Sequence, residues 1–174
     1  MTKISKSKAD IVKHAFCESL EELMRERELT EISINEIVEN AGMSRTTFYR
    51  YFRDKYELSI WRLEHIVTDP EYTYGSTDAV ASVLKKLILE IGEHKTYYKK
   101  LFAYAGQNSL EEFFFTLLHG WSKKGNDKSL EQKDHYIIQY NASGFTGGMK
   151  RWLNDRDPIA PEDFSVIMLE LALV

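Results

Sequence analysis

Two short predicted helices flank a single glycine turn, and this pattern constrains the fold more than any other feature of the sequence. Ser33 and Glu36 form a capping box, in which the serine hydroxyl accepts from the glutamate amide and the carboxylate reaches back. Gly42 then supplies the left-handed conformation that a helix exit needs. Ser44 is a candidate N-cap for a second helix over residues 45–51. The sequence therefore predicts a short helix, a turn of about four residues and another short helix.

Longer predicted helices stand on both sides of this pair. Residues 8–27 repeat apolar side chains at the spacing of one helical face. Asp54 and Glu57 form a second capping box before a helix that reaches about residue 67. Two short helices joined by a glycine-containing turn are the helix-turn-helix arrangement of DNA-binding proteins.

The second short helix lacks the pattern of a core helix. Phe48 and Phe52 can pack inward at i, i+4. The remaining side chains have no shared apolar face and are predicted to point outward: Arg45, Thr46, Thr47, Tyr49 and Arg50. Aromatic, hydroxyl and guanidinium groups on an exposed helix suit contacts with phosphates and base edges.

The charge distribution permits DNA binding only through a local patch. The 174 residues carry a net charge of -4, whereas residues 42–62 hold five basic and two acidic side chains. An ordinary solvated helix surface would give the same charge balance, so charge alone does not distinguish such a surface from a DNA-binding patch.

Several function classes find no support in the sequence. One cysteine, Cys17, excludes an internal disulfide, and the lack of a signal-peptide pattern or membrane-length apolar run predicts a cytoplasmic protein without a membrane partner. No nucleophile motif, phosphate loop or dinucleotide fingerprint is present, so neither an enzyme nor a cofactor is expected. The five histidines are expected to form no i, i+4 cluster with carboxylates of the kind that holds a metal ion on a helix, so no metal site is predicted.

The rest of the chain also predicts helices, and no alternating run predicts a strand. We expect an all-α fold of about nine helices. Residues 1–55 would form a helix-turn-helix domain, and residues 56–174 a helical effector-binding and dimerisation domain. The later helices are predicted at about 78–92, 94–105, 109–124, 130–154 and 161–174.

Residues 8–67 resemble the TetR family of bacterial regulators. The resemblance rests on residues 32–58, in particular Thr47-Phe48-Tyr49-Arg50-Tyr51-Phe52 and Lys55. Thr46 departs from the pattern, because the family often has glycine or proline there. The sequence segments 97–102 and 144–153 are similar to the small C-terminal domains of Gram-positive members.

The resemblance implies an effector-responsive repressor that binds a near-palindromic operator in double-stranded DNA as a homodimer. An alternative is a regulator whose second domain binds a protein co-regulator instead of a small molecule. Together with the exposed face, the resemblance implies these DNA contacts: Ser33, Asn35, Ser44, Arg45, Thr46, Thr47, Tyr49, Arg50, Tyr51 and Lys55.

Aromatic residues are dense in the second domain and predict either a plain core or a pocket for a small apolar or aromatic effector. The candidate pocket residues are Trp61, Tyr98, Phe102, Phe114, Trp121 and Tyr140.

Glycines inside the predicted helix 130–154 indicate close approach of another helix. Each interior glycine costs about 0.5–1 kcal/mol relative to alanine, and tight packing would offset that cost. The approach could come from a second subunit in a four-helix bundle or from the same chain. The candidate dimer residues are Gly144, Gly148, Trp152, Ile167 and Leu171.

Overall fold

The computed structural model describes residues 7–68, 77–106, 108–125 and 131–172, with the backbone alone for residues 77, 78, 121–125 and 172. The regular structure of these residues is helical, without a strand, which confirms the all-α expectation. A short 3-10 turn, Leu29–Glu31, precedes the second helix. The helices are α1 (Lys8–Met24), α2 (Ile34–Asn40), α3 (Arg45–Tyr51), α4 (Lys55–Thr68), α5 (Thr77–Glu93), α6 (Lys95–Ala103), α7 (Leu110–Gly125), α8 (Gln132–Asn154) and α9 (Pro161–Ala172).

The chain divides into two units, Met1–Arg62 and Leu63–Val174. The first unit extends beyond the predicted boundary at residue 55, because the first half of α4 packs within it. Trp61 meets Phe52 edge to face at a ring separation of 6.3 Å. The Arg62 guanidinium donates to the Glu21 carboxylate at 2.7 Å.

An aromatic cluster forms the core of the first unit. Phe16 of α1 meets Phe48 of α3 edge to face at 5.3 Å, and Phe52 lies 5.7 Å from Phe48. All three rings are buried, as predicted for the two phenylalanines of the short helix. The first helix, predicted to reach residue 27, ends at Met24, and Leu29 and Ile32 beyond its end are buried.

The second unit packs α5 against α9 and α7 against α8. Gly92 lets α5 approach α8 and α9 closely, since a β-carbon there would lie 2.6 Å from Pro161 Cγ and 3.0 Å from Trp152 Cη2. The Trp152 ring stacks on Phe164 at 4.6 Å. Phe114 of α7 meets Phe145 of α8 at the same separation. No helix in the described part of the chain is long and apolar enough to cross a membrane.

Candidate functional site

Local hydrogen bonds hold the helix-turn-helix as the sequence predicts. Ser33 Oγ accepts from the Glu36 amide at 3.3 Å, and Glu36 Oε2 accepts from the Ser33 amide at 2.8 Å. Ser44 Oγ accepts from the Thr47 amide at 3.1 Å. Both predicted N-caps, and the capping box at Ser33, are therefore confirmed.

A Schellman motif ends α2 at the turn. The Met43 amide donates to the Val38 carbonyl at 2.8 Å, and the Gly42 amide donates to the Glu39 carbonyl at 3.0 Å. Gly42 has a φ of +63°, the left-handed conformation predicted for it. This turn redirects the chain and so places the start of α3.

The capping box predicted before α4 is displaced by one residue. Asp54 Oδ1 accepts from the Glu57 amide at 2.8 Å, as expected. The Glu57 carboxylate, however, accepts from the amide and guanidinium of Arg53 at 2.7 and 3.2 Å, not from the amide of Asp54. The partly buried carboxylate gains a second, charged donor this way.

The outer face of α3 presents cationic, hydroxyl and aromatic groups to solvent. Tyr49 is 49% exposed, and the Arg45 guanidinium lies 5.8 Å from its ring centroid, with Nη2 donating to the tyrosine hydroxyl at 3.4 Å. Thr46 and Arg50 are exposed beside them. Phe48, on the opposite face, is fully buried. The helix is thus anchored by its buried face and presents hydrogen-bonding groups on its exposed face.

A network of charges fixes the start of α2. Arg27 Nη1 donates to Glu36 Oε1 at 2.6 Å. The Ser33 amide, the Arg27 guanidinium and the Ser33 hydroxyl together lower the pKa of Glu36 from 4.5 to about 2, because each stabilises the ionised carboxylate.

Lys55 joins α4 to the segment before α2. Its Nζ donates to the carbonyls of Thr30 and Ile32 at 3.0 and 2.6 Å. Burial lowers the pKa of Lys55, and the nearby charge of Glu36 opposes that change. Two of the three ammonium donors are thus used inside the unit, and the phosphate contact that the resemblance implies would fall to the third.

A half-open cavity of about 320 Å³ lies within the second unit. Its walls come from α5, α7, α8 and α9 and are mostly apolar, with Asn141 as a polar group. The lining residues are Leu84, Phe114, Leu118, Tyr140, Asn141, Gly144, Phe145, Gly148, Met168 and Leu171.

Comparison with known proteins supplies the family. Residues 18–59 match the model described as bacterial regulatory proteins of the tetR family. Residues 78–173, more than half of the chain, match the model of the transcriptional regulator C-terminal region TetR_C_8. The chain belongs to the TetR family. It is a TetR-type transcriptional regulator with a helix-turn-helix DNA-binding domain.

Individual relatives are distant in sequence. The activator of the dhaKLM operon, DhaS of Lactococcus lactis subsp. lactis (strain IL1403), is 24% identical over 152 residues, which cover 80% of this chain and 78% of the relative. A solved structure of the dihydroxyacetone kinase operon activator DhaS aligns with a TM-score of 0.61 at 23% identity, covering 94% of each chain.

Two further solved TetR regulators share the fold of this TetR-family chain. One, from Rhodococcus sp. RHA1, has a TM-score of 0.55 at 20% identity and covers 96% of this chain and 98% of its own. The other, from Streptococcus agalactiae 2603V, has a TM-score of 0.55 at 18% identity and covers 95% of each chain. At these identities the likeness concerns the fold alone.

The predicted DNA contacts of this TetR-family chain gather around α2 and α3 but differ in exposure. Ser33, Asn35 and Ser44 are exposed, and the two serine hydroxyls also cap their helices. Thr47 and Tyr51 are half-buried.

One basic residue near this surface was not among the predicted contacts. Lys13 Nζ lies 5.9 Å from the Tyr51 ring and 5.5 Å from the Trp61 ring. No sequence signal announces this contact, because Lys13 and Tyr51 meet only through folding.

The predicted pocket residues do not form one site. Phe114 and Tyr140 line the 320 Å³ cavity, whereas Phe102 lines a second one of about 270 Å³ between α6, α7 and α8. Tyr98 is fully buried, and its hydroxyl donates to Glu90 Oε1 at 3.3 Å. The Trp121 side chain lies outside the described residues.

Two tryptophan assignments need correction. Trp61 belongs to the core of the first unit, where it meets His14 edge to face at 5.0 Å, so it lines neither cavity of the second unit. Trp152, predicted on the dimer face, is 5% exposed, and its Nε1 donates to the Ile159 carbonyl at 2.9 Å. Both rings pack inside their own chain, because burying a large aromatic surface contributes most to stability.

The other predicted dimer residues divide into two kinds. Ile167 and Leu171 are 45% and 70% exposed. A β-carbon at Gly148 would lie 3.1 Å from Met168 Sδ, so α9 of the same chain accounts for this glycine, whereas one at Gly144 would meet nothing within 4 Å.

The expectation that no histidine forms an i, i+4 cluster with carboxylates is wrong. Glu90, Glu93 and His94 place their donor atoms within 4.8 Å of one another, a grouping that could hold a metal ion. His94 Nε2 lies 3.6 Å from Glu90 Oε1. Glu90 and His94 stand four residues apart, so the sequence carries the signal for this cluster.

Proposed function

We propose that this regulator binds a near-palindromic DNA operator as a homodimer, and that an apolar or aromatic effector bound in the second unit relieves repression. Two copies would offer two recognition helices to successive major grooves, about 34–36 Å apart on the duplex. The effector would act through its different affinity for the DNA-binding and the released state.

The observation that carries the DNA-binding proposal is the exposed face of α3. Arg45, Thr46, Tyr49 and Arg50 stand together on it. Guanidinium and hydroxyl groups can reach both phosphates and base edges, and the contact between Arg45 and Tyr49 preorganises these two side chains.

The cavity of about 320 Å³ supports the effector proposal. Its size falls within the range of small-molecule sites, and its apolar walls suit an apolar or aromatic molecule. Asn141 supplies a group that could orient such a molecule by hydrogen bonding.

The test begins with DNA selected from a random library by the wild-type protein. Arg45→Ala and Tyr49→Ala are each expected to weaken binding of the selected DNA about tenfold or more, since a good base contact is worth about 1–3 kcal/mol. Arg156→Ala removes an exposed arginine from the second unit and serves as the matched control. Unchanged gel shifts with both α3 variants would refute the assignment of this face.

Activation is a second candidate for the sign of regulation. The relative from Lactococcus lactis is described as a transcriptional activator of its operon. A promoter carrying the selected DNA, fused to a reporter, distinguishes the two. Repression predicts higher expression when the gene for this protein is deleted, and activation predicts lower expression.

A further inference from the structure

The cavity of the second unit is built from residues predicted for two different purposes. Phe114 and Tyr140 were predicted for an effector pocket, whereas Gly144, Gly148 and Leu171 were predicted for a dimer interface. At its rim, Tyr140 is 78% exposed and Leu171 is 70% exposed. The cavity therefore opens on the surface that would face a second copy of the chain.

This surface has the composition of an interface core. Residues 136–149 of α8 contain no charged side chain, although an exposed helical face normally carries charges. Loss of charge and gain of aromatic side chains mark the centre of protein interfaces. The exposed large apolar residues of α8 and α9 are Tyr136, Ile137, Tyr140, Val166, Ile167 and Leu171.

The apolar area is large enough to support association of two copies. A tyrosine side chain carries about 150–250 Å² and the aliphatic side chains somewhat less, so the exposed fractions of these two tyrosines and four aliphatic residues together leave on the order of 600 Å² exposed. A stable interface buries about 800 Å² on each partner. The polar groups around these side chains would supply the remainder.

Gly144 sets the register in which two copies can meet. It lies in the interior of α8, where glycine costs about 0.5–1 kcal/mol, and its own chain leaves the space over it empty. Two antiparallel copies of α8 that cross at Gly144 would place Tyr140 of each over Gly148 of the other. Gly148 lines the cavity, so each tyrosine ring would meet the mouth of its partner's cavity.

We propose that the second copy seats its Tyr140 in this cavity, so that each cavity is completed by the partner and an apolar ligand competes with the partner's ring. The inference rests on the homodimer of the proposed function and adds to it a link between ligand binding and assembly. A ligand that enters the cavity would weaken the dimer, because ring and ligand require the same space.

Sedimentation of single variants tests the contact. Tyr140→Ala is expected to raise the dimer dissociation constant at least tenfold, and Gly144→Leu to give a monomer, since its larger side chain blocks the crossing. The empty space over Gly144 lets a single chain accept the leucine, which circular dichroism will verify. Ile11→Ala removes an exposed apolar side chain from the first unit and is expected to leave the dimer dissociation constant unchanged.

The link to ligand binding is tested with the fluorescent probe 1-anilinonaphthalene-8-sulfonate. Probe fluorescence per subunit should fall as the protein concentration rises through the dimer transition, and excess probe should shift sedimentation towards the monomer. Fluorescence that is independent of the dimer fraction would refute the competition.

The outcomes separate this inference from the proposed function. A dimer that binds DNA and persists in both Tyr140→Ala and Gly144→Leu overturns the inference and leaves the proposed function standing. A wild-type protein that stays monomeric at all concentrations overturns both, and a different protein would then have to cover the α8 face.

Discussion

Substitution of Gly42 tests how much the left-handed backbone conformation between α2 and α3 changes the free energy of unfolding when glycine is replaced. Alanine in the left-handed region costs about 1–2 kcal/mol, and its lower entropy in the unfolded chain recovers about 0.4–1 kcal/mol. A β-carbon at Gly42 would meet nothing within 4 Å, so no clash adds to this balance. Gly42→Ala should therefore lower the free energy of unfolding by about 1 kcal/mol through φ alone.

Gly120→Ala is the matched control. Gly120 lies within α7, where a β-carbon also meets nothing within 4 Å. Here alanine should stabilise by about 0.5–1 kcal/mol, because it is the better helix former. The same replacement of a hydrogen by a methyl group is thus expected to change the free energy of unfolding in opposite directions at the two positions.

Thermal unfolding followed by circular dichroism measures both effects. For a chain of this length, 1 kcal/mol corresponds to about 2–4 °C in Tm, so Gly42→Ala should lower Tm by that amount and Gly120→Ala should raise it. Gly42→Asn should lose less than Gly42→Ala, because asparagine tolerates the left-handed region better. Shifts of the same sign for the two alanine variants would refute the reasoning.

Three other substitutions follow from particular contacts. Glu36→Gln should destabilise the protein above pH 4.5, and the deficit should shrink as the pH falls towards 2, because a carboxylate with a lowered pKa stabilises only while ionised; urea unfolding at several pH values measures this. Gly92→Ala should cost about 1–3 kcal/mol in urea unfolding through the clash with Pro161, and a stable variant would contradict the close approach. Lys55→Met should lower stability by about 1 kcal/mol by removing two carbonyl contacts, and should reduce the salt slope of DNA binding by about one by removing a phosphate contact; an unchanged slope would contradict that contact.

The helix-turn-helix could be predicted almost to the residue because its signals are local. Ser33 with Glu36, Gly42, and Ser44 with Thr47 act over three residues or through a single backbone conformation. Such interactions are the same in almost any tertiary context. The bounds of α3 therefore agree with the prediction, and those of α2 lie close to it.

The contacts between distant segments could not be predicted in the same way. Lys55 reaches carbonyls more than twenty residues earlier in the chain, and Lys13 meets Tyr51 across two helices. Trp61 carries no sequence mark that assigns it to the first unit. Such choices depend on which surfaces become buried together, and helical periodicity gives the buried face without naming its partner.

The cavity of the second unit shows why two separate predictions could meet in one place. Glycine on a packed helix removes a side chain, and this one change leaves a gap within the chain and also a surface that another helix can approach. At Gly148 the side chain of Met168 fills the gap within the chain, whereas the space over Gly144 stays open. A pocket and an interface on α8 are therefore not alternatives, since both arise from the same missing side chains.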